Sequence, residues 1–250
     1  MAANKISGWV IFGLIFSILS VLALVFSGYG YQWEWWDLST AFTYFLPGSV
    51  ILALAGVSSG VIYWFARRRA MAAGGSKGSW AAIILSLTVI CVMGYWMFRA
   101  SHYPPIHDIT TDTKDPPAFG KIAVLRADAP NDISYGGEEM AKQQHQHYPE
   151  IETLILDEAY DKAFDRALKA AKKQNWEKIV SVSKETGRIE AFDKIPWFGF
   201  IDDVVIRICP AAQPGRSKID IRSVSRVGKG DLGVNAGRIQ NYLDTVRNLK

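Results

Sequence analysis

Three long runs without a single charged side chain constrain this chain more than anything else in it. They extend from about Gly8 to Phe26, from about Pro47 to Ala66 (or from nearer Ala41), and from about Trp80 to Phe98. A hydrocarbon core roughly 30 Å thick takes about 20 helical residues to cross, and each run approaches or reaches that length. Backbone in lipid must satisfy its own N–H and C=O groups, so each run is expected to be a helix. The first could be read as a secretory signal. Its apolar segment exceeds the roughly 7–15 residues of such signals, however, and a retained span is expected.

Loop charge orients the spans. The second loop holds Arg67, Arg68, Arg69 and Lys77 and no acid, whereas the first holds Glu34 and Asp37. The positive-inside rule puts the arginine triplet in the cytoplasm, together with the N-terminus and Lys5. Everything after Arg99 then lies outside. The expectation is a multi-pass protein of a bacterial inner (cytoplasmic) membrane, with residues 100–250 periplasmic or extracytoplasmic.

The net charge of +4 belongs to the membrane part: residues 1–99 hold six basic and two acidic side chains, and the remainder holds 22 of each. A neutral outer domain has no basic patch for phosphate backbones, so no nucleic-acid partner is expected. Two cysteines, Cys91 and Cys209, are too few for a disulfide framework.

Trp33, Trp35 and Trp36 with Tyr29 and Tyr31 crowd the first loop, and Trp9, Trp64, Trp80 and Trp96 sit near span ends. Amphipathic rings at headgroup level make an aromatic belt, and an aromatic platform for a lipid or quinone is the alternative. Membrane lipids are the expected surroundings. Gly56 and Gly60 form a GxxxG spacing with Ser58 and Ser59 beside it, which suits close helix contact with span one, span three or a membrane-protein partner. No span carries a buried acid, base or histidine, which disfavours a proton relay or ion pathway.

The chain divides into a membrane domain (1–100), a Pro-rich strap (101–148) and an exported domain (149–250). Pro104, Pro105, Pro116, Pro117 and Pro130 interrupt the strap, and Tyr135-Gly136-Gly137 marks a turn. Alternation then predicts a strand over 151–156. A helix follows over 157–174, with Asp157 as N-cap and Ala163, Phe164, Ala167, Leu168 and Ala171 on one face. Strands are expected over 176–183, 188–195, 203–209 and 218–226. A last helix is expected over 231–249, burying Leu232, Ala236, Ile239, Leu243 and Val246. The class is α+β: three transmembrane helices, then an antiparallel sheet covered on one face by two helices, a helix-grip-like arrangement with room for a groove between helix and sheet.

Polar side chains gather near the end of the chain. Arg222, Ser223, Ser225 and Arg226 precede Asp231, Asn235 and Arg238, which fall along one seam of the last helix with Tyr242. Glu190, Asp202 and Asp203 lie on earlier strands. Such a set could hold an anionic headgroup or carboxylate, or could simply pin helix to sheet. If the last two strands pair across the 210–217 loop, Arg207 faces Asp220. No histidine follows His147, so no serine or cysteine there has an activating base, and acyl transfer is disfavoured. His145 and His147, if extended, would point the same way and could begin a metal site with His102 or His107, but lack a fixed third ligand. No metal and no cofactor is expected.

Several stretches carry a resemblance: PPIHDITTD at 104–112, DPPAF at 115–119, Tyr135-Gly136-Gly137, Tyr148-Pro149, Arg188 to Ala191, Trp197 to Phe200, Asp202 to Arg207, and DIRSVSRVGKGDLGVNAGRI at 220–239. Over about 104–248 the chain resembles the bacterial domain-of-unknown-function family 1499. The resemblance implies no reaction. It draws attention to Glu190, Asp202, Asp203, Arg207, Arg222, Ser223, Ser225, Arg226, Asp231, Asn235 and Arg238 as binding candidates, with His107 and Asp108 in the strap motif. The expected function is to bind or scaffold a lipid, an envelope component or a membrane-protein partner. The alternatives are an envelope enzyme using Asp202/Asp203, Arg222/Arg226 and Asp231, and a structural subunit of a membrane complex.

Overall fold

A computed structural model describes residues 6–69 and 74–249. The chain forms two compact units, Met1–Arg99 with Trp197–Gly199, and Ala100–Pro196 with Phe200–Lys250.

In the first unit, helices α1 (Gly8–Gln32), α3 (Leu46–Arg68) and α4 (Ser76–His102) are joined by a short helix α2 (Leu38–Thr40) and a π-turn over Ala41–Phe45 that leads straight into α3. The π-turn has a local cause. Pro47 cannot donate a backbone hydrogen bond, and Leu46 N–H reaches back five residues to the Ala41 carbonyl. Three rods, Gly8–Gln32, Leu38–Arg68 and Ser76–His102, are long and apolar enough to cross a membrane.

The bundle is small inside and large outside. Ser17, Ser20, Ser49, Ala53, Ser59, Ser79, Ala82 and Ser86 are buried, while Phe12, Ile15, Ile51, Leu54, Ile84 and Leu87 face outward. This suits a solvent as apolar as leucine, in which small residues let backbones approach. Ser17 Oγ donates to the Ala82 carbonyl at 2.9 Å and lies 2.9 Å from Ser86 Oγ, linking the first and third spans. A Cβ at Gly56 would fall 2.3 Å from Ser86 Oγ and 2.6 Å from Ser17 Oγ, and one at Gly60 would fall 2.5 Å from Ile83 Cγ1. Spans one and three of the same chain therefore occupy the GxxxG face. Of the contacts expected there, those with span one and span three are present within the chain.

The second unit is a six-stranded antiparallel sheet, β1 (Asp108–Thr110), β2 (Leu154–Leu156), β3 (Lys178–Ser183), β4 (Arg188–Lys194), β5 (Ile201–Pro210) and β6 (Ser217–Ser225). Its order is β1-β6-β5-β4-β3, with β2 sharing the outer edge of β6. β1 pairs with residues 222–224 and β2 with residues 217–219. The short α5 (Lys121–Leu125) and α6 (Gly137–His147) precede the two main helices, α7 (Tyr160–Lys173) and α8 (Val234–Asn248).

Strand alternation sorts the side chains. Ile189, Ala191, Val204, Ile206, Ile208, Ile219 and Ile221 join Ala163, Phe164, Ala167, Ala170 and Ala171 of α7 and Ala236, Ile239, Tyr242, Leu243 and Val246 of α8 in one buried core. Four alanines on α7 have little bulk to hold it off the sheet. The groove expected between helix and sheet is thus filled with side chains.

The Pro-rich segment 101–148 is extended at β1 and otherwise carries regular structure of its own. It contributes β1, α5 and α6, and residues 111–135 roof the sheet face turned away from α7 and α8, because their polar groups find partners there. Two helix starts also move. Asp157 pairs with Arg216 at 2.6 Å instead of capping, and α7 begins three residues later behind Ala159. Leu232 and Gly233 take left-handed backbone (φ 55° and 79°), so α8 starts at Val234 rather than at 231. The first expected strand shrinks to Leu154–Leu156, since β1 occupies the rest of the β6 edge.

Candidate functional site

Period-two alternation puts adjacent residues of a strand on opposite sheet faces, and this divides the candidate cluster in two. Asp202, Ser223 and Ser225 point toward α8. Asp203, Arg207 and Arg222 point away from it, as do Glu190 on β4 and Asp108 on β1.

On the α8 side, Arg238 is the hub. Its Nη2 lies 2.9 Å from carboxylate oxygens of both Asp193 and Asp202. Its Nη1 donates to Asn235 Oδ1 at 2.6 Å and to Ser223 Oγ at 3.1 Å. Asn235 donates through Nδ2 to Ser225 Oγ and to the His107 carbonyl, both at 3.0 Å, tying α8 to β6 and β1. Asp231 has no cation partner among the described residues. Its oxygens accept Asn235 N–H at 2.6 Å and Gly233 N–H at 3.0 Å, so it closes the loop that opens α8. Of the seam expected on the last helix, Asn235, Arg238 and Tyr242 lie on the buried side of α8, and Asp231 lies in the loop before it.

Asp231 is the titrating member of this layer. Burial pushes its carboxyl above the usual carboxylate range, the Asn235 and Gly233 amides pull it back, and Asp202 adds to the rise. The unfolded chain titrates this group near 3.8, so between that value and its native pKa the folded state binds the proton more strongly. Stability drawn from this group is complete below the unfolded value and is lost as pH rises through the native one. Asp231→Asn keeps an acceptor but not the titration. Its stability relative to wild type is therefore expected to improve from about pH 4 to about pH 7 in denaturant titrations. A relative loss over that range would mean that Asp231 is held charged.

The opposite face carries two buried ion-pair groups and a third at its margin. Arg222 grips Asp108 with both arms, Nε to Oδ1 at 2.9 Å and Nη2 to Oδ2 at 2.6 Å. Nη2 also donates to the Ile133 carbonyl at 2.7 Å, and the guanidinium lies 5.4 Å from the Phe119 ring and 5.7 Å from the Tyr135 ring. Arg226 holds Asp203 in the same two-armed way, at 2.9 and 2.7 Å, and Arg126 Nη1 approaches that carboxylate to 3.3 Å. Burial raises the Asp203 carboxyl, and Arg226 opposes the rise. At the margin, Arg207 stands opposite Asp220 in the strand register and bonds it at 2.8 Å, as strand pairing predicts, while also reaching Asp112 and Asp115. The Glu190 carboxylate accepts the N–H groups of Gly120 and Ile122 and so orders the start of α5.

The set Asp202/Asp203, Arg222/Arg226 and Asp231 therefore does not converge on one point, because the sheet separates its members. His107 contributes mainly its backbone, its carbonyl accepting from Ser225 N–H and Asn235 Nδ2, and its ring Nδ1 lies 3.4 Å from the Lys229 carbonyl. His145 and His147 sit on α6 rather than on extended chain, so residues two apart diverge in direction. Their rings meet Thr113 Oγ1 and the Gln143 carbonyl. No group of three or more His, Cys, Asp or Glu is arranged to hold a metal among the described residues. Reading the sequence missed Arg126, Asn131, Tyr135 and Asp193 as members of these layers. The first three lie in the segment with no periodicity, and Asp193 is a charge near the end of its strand.

These features define a class: an α+β domain, carried on three apolar helices, whose sheet is clamped on both faces by arginine–aspartate layers. Over residues 108–246 the chain matches the family described as "protein of unknown function (DUF1499)". That match covers more than half of its length, and the chain belongs to this family. No curated protein and no solved structure matches it.

Proposed function

We propose that this protein is a membrane-anchored scaffold of the bacterial envelope, with its N-terminus in the cytoplasm and its α+β domain on the outer side of the inner membrane. The observation that carries this reading is the internal pairing of the charged candidate residues. Each charged candidate residue spends its hydrogen-bonding capacity on another part of the chain, so the layers act as a frame and recognition falls to the outer surface. Val124 and Leu125 stand out on that surface at 78% and 55% exposure, beside the buried anchor Ile122. Adjacent exposed apolar side chains suit contact with a membrane-protein or envelope partner better than with water. The basic loop with Arg67, Arg68, Arg69 and Lys77 supports the orientation.

Native mass spectrometry of the full chain released from its own membranes is expected to show a stoichiometric protein partner that Leu125→Asp removes. A bare monomer in both forms would overturn the scaffold reading. A phosphatase fused after residue 103 is expected to be active and one fused after Lys77 inactive, and the reverse pattern would overturn the topology.

A further inference from the structure

One end of the three-helix unit holds positive charge that the chain itself does not balance. Arg67, Arg68, Arg69 and Lys77 are all exposed there. The acids of residues 1–99 are Glu34 and Asp37, and both lie in the other loop. Arg68, Arg69 and Lys77 make no side-chain ion pair or hydrogen bond among the described residues. Cations in the last turn of a helix suit its dipole, which accounts for Arg67 and Arg68 at the end of α3. It does not account for Lys77, which stands in the first turn of α4, where the dipole disfavours a cation.

Within this group Arg67 is held in a defined pose. Its Nη1 donates to the Tyr63 hydroxyl at 2.8 Å, one turn back on α3, and its guanidinium carbon lies 5.8 Å from the centre of the Trp64 ring. Tyr63 is fully buried, so the hydroxyl that holds the arm is itself held. Nε and Nη2 donate to nothing among the described residues, which leaves the other side of the fork available. Trp64 meets Trp80 of α4 with ring centres 5.6 Å apart, and Trp80 and Phe65 are 53% and 58% exposed. Tryptophan rings settle at headgroup level in a bilayer. A guanidinium lying against Trp64 is thereby brought to the depth of lipid phosphates.

We propose that Arg67, positioned by Tyr63 and Trp64, binds the phosphate of an anionic phospholipid that Arg68, Arg69 and Lys77 draw to this end of the bundle. The free side of the guanidinium fork matches phosphate oxygens. Each basic side chain near a membrane surface favours anionic lipid by about five-fold. A zwitterionic headgroup presents the same phosphate but adds a cation to the four already there, so a headgroup of net negative charge is selected. The proposal rests on the helices crossing a bilayer and not on which side the loop faces. Reversed phosphatase fusions would overturn the topology and leave this site standing, and loss of the site would leave the partner surface at Val124 and Leu125 untouched.

The test is native mass spectrometry of the full chain, delipidated in detergent and titrated with phosphatidylglycerol or with phosphatidylcholine of the same acyl chains. Phosphatidylglycerol is expected to bind about ten-fold or more tightly, and equal affinity for the two lipids would overturn the site. Arg67→Gln is expected to weaken phosphatidylglycerol binding about ten-fold or more, as the loss of charged hydrogen bonds predicts. Arg99→Gln removes the same charge near the far end of α4 and is expected to change nothing. Arg67→Lys and Tyr63→Phe separate a built site from diffuse attraction, because both keep the net charge. Each is expected to weaken binding several-fold, the first by losing the fork and the second by releasing it. Wild-type affinity in both would overturn the site and leave only the summed field of the basic loop. Arg67 is exposed and Tyr63→Phe keeps the buried ring, so neither change threatens the bundle. Inorganic phosphate is expected not to compete, since it lacks the chains that pack beside Trp80 and Phe65, and competition would overturn the lipid as occupant.

Discussion

Arg222→Ala is expected to destabilise the sheet domain by about 3–5 kcal/mol, the cost of breaking a buried ion pair from one side. Against a total of roughly 5–15 kcal/mol for a domain, that is a large fraction. The reason lies in what would be left behind. Asp108 would keep a buried carboxylate with no cation, the Ile133 carbonyl would lose its donor at 2.7 Å, and the space between the Phe119 and Tyr135 rings would empty. Because Arg222 adds a side-chain link from β6 to Asp108 of β1 and to the Ile133 carbonyl, beyond the strand pairing of β1 with β6, the damage should spread along the roof of the sheet. Arg222→Lys is expected to rescue little, since an ammonium cannot reproduce the two-armed grip. Pairing Arg222→Met with Asp108→Leu is expected to recover much of the loss, as apolar replacement of a buried ion pair often does. Pulse proteolysis of the full chain in nanodiscs measures all three variants against the wild type. Wild-type resistance in Arg222→Ala would show that the pair does not lock the domain.

Gly56→Leu is expected to open the three-helix bundle. Even a methyl group at position 56 meets Ser86 Oγ at 2.3 Å and Ser17 Oγ at 2.6 Å, so a leucine must push α3 away from both neighbours. Overpacking of this kind costs about 1–3 kcal/mol in well-packed interiors. Here the separation would also break the Ser17 hydrogen bonds to Ala82 and Ser86. Lipid tails would fill the gap without penalty, because no hydrophobic force draws the spans together. Gly48→Leu and Gly94→Leu are the controls, as a Cβ at either place meets nothing within 4 Å. Thermal unfolding in nanodiscs at low protein concentration is expected to single out Gly56→Leu. An effect that appears only at concentrations where chains associate would return that face to a partner.

How much of this architecture can be read directly depends on how far apart the interacting residues lie. The three spans are legible because an uncharged run of that length is itself the determinant of a transmembrane helix. The Arg207–Asp220 pair is legible because two neighbouring strands leave little freedom of register, and the opposite facing of Asp202 and Asp203 follows from the pleat alone. The interior face of α7 follows in the same way from its alanine spacing. In each case one element, or two adjacent ones, carries all the necessary information.

The rest required the chain to meet itself at a distance. Asp108 and Arg222 are 114 positions apart, and Asn131 and Ser225 are 94 apart. No periodicity in 101–148 announces those meetings, since that segment takes its shape from the sheet it covers. The sequence by itself determined the spans, the strand alternation, the α+β class and the identities of most of the charged residues. Only the tertiary structure decided that those charges form two layers on opposite faces of a sheet and that the GxxxG face is filled by the chain's own spans. Ion pairing and close packing are short-range forces, so their outcome is set by which surfaces long-range folding brings together.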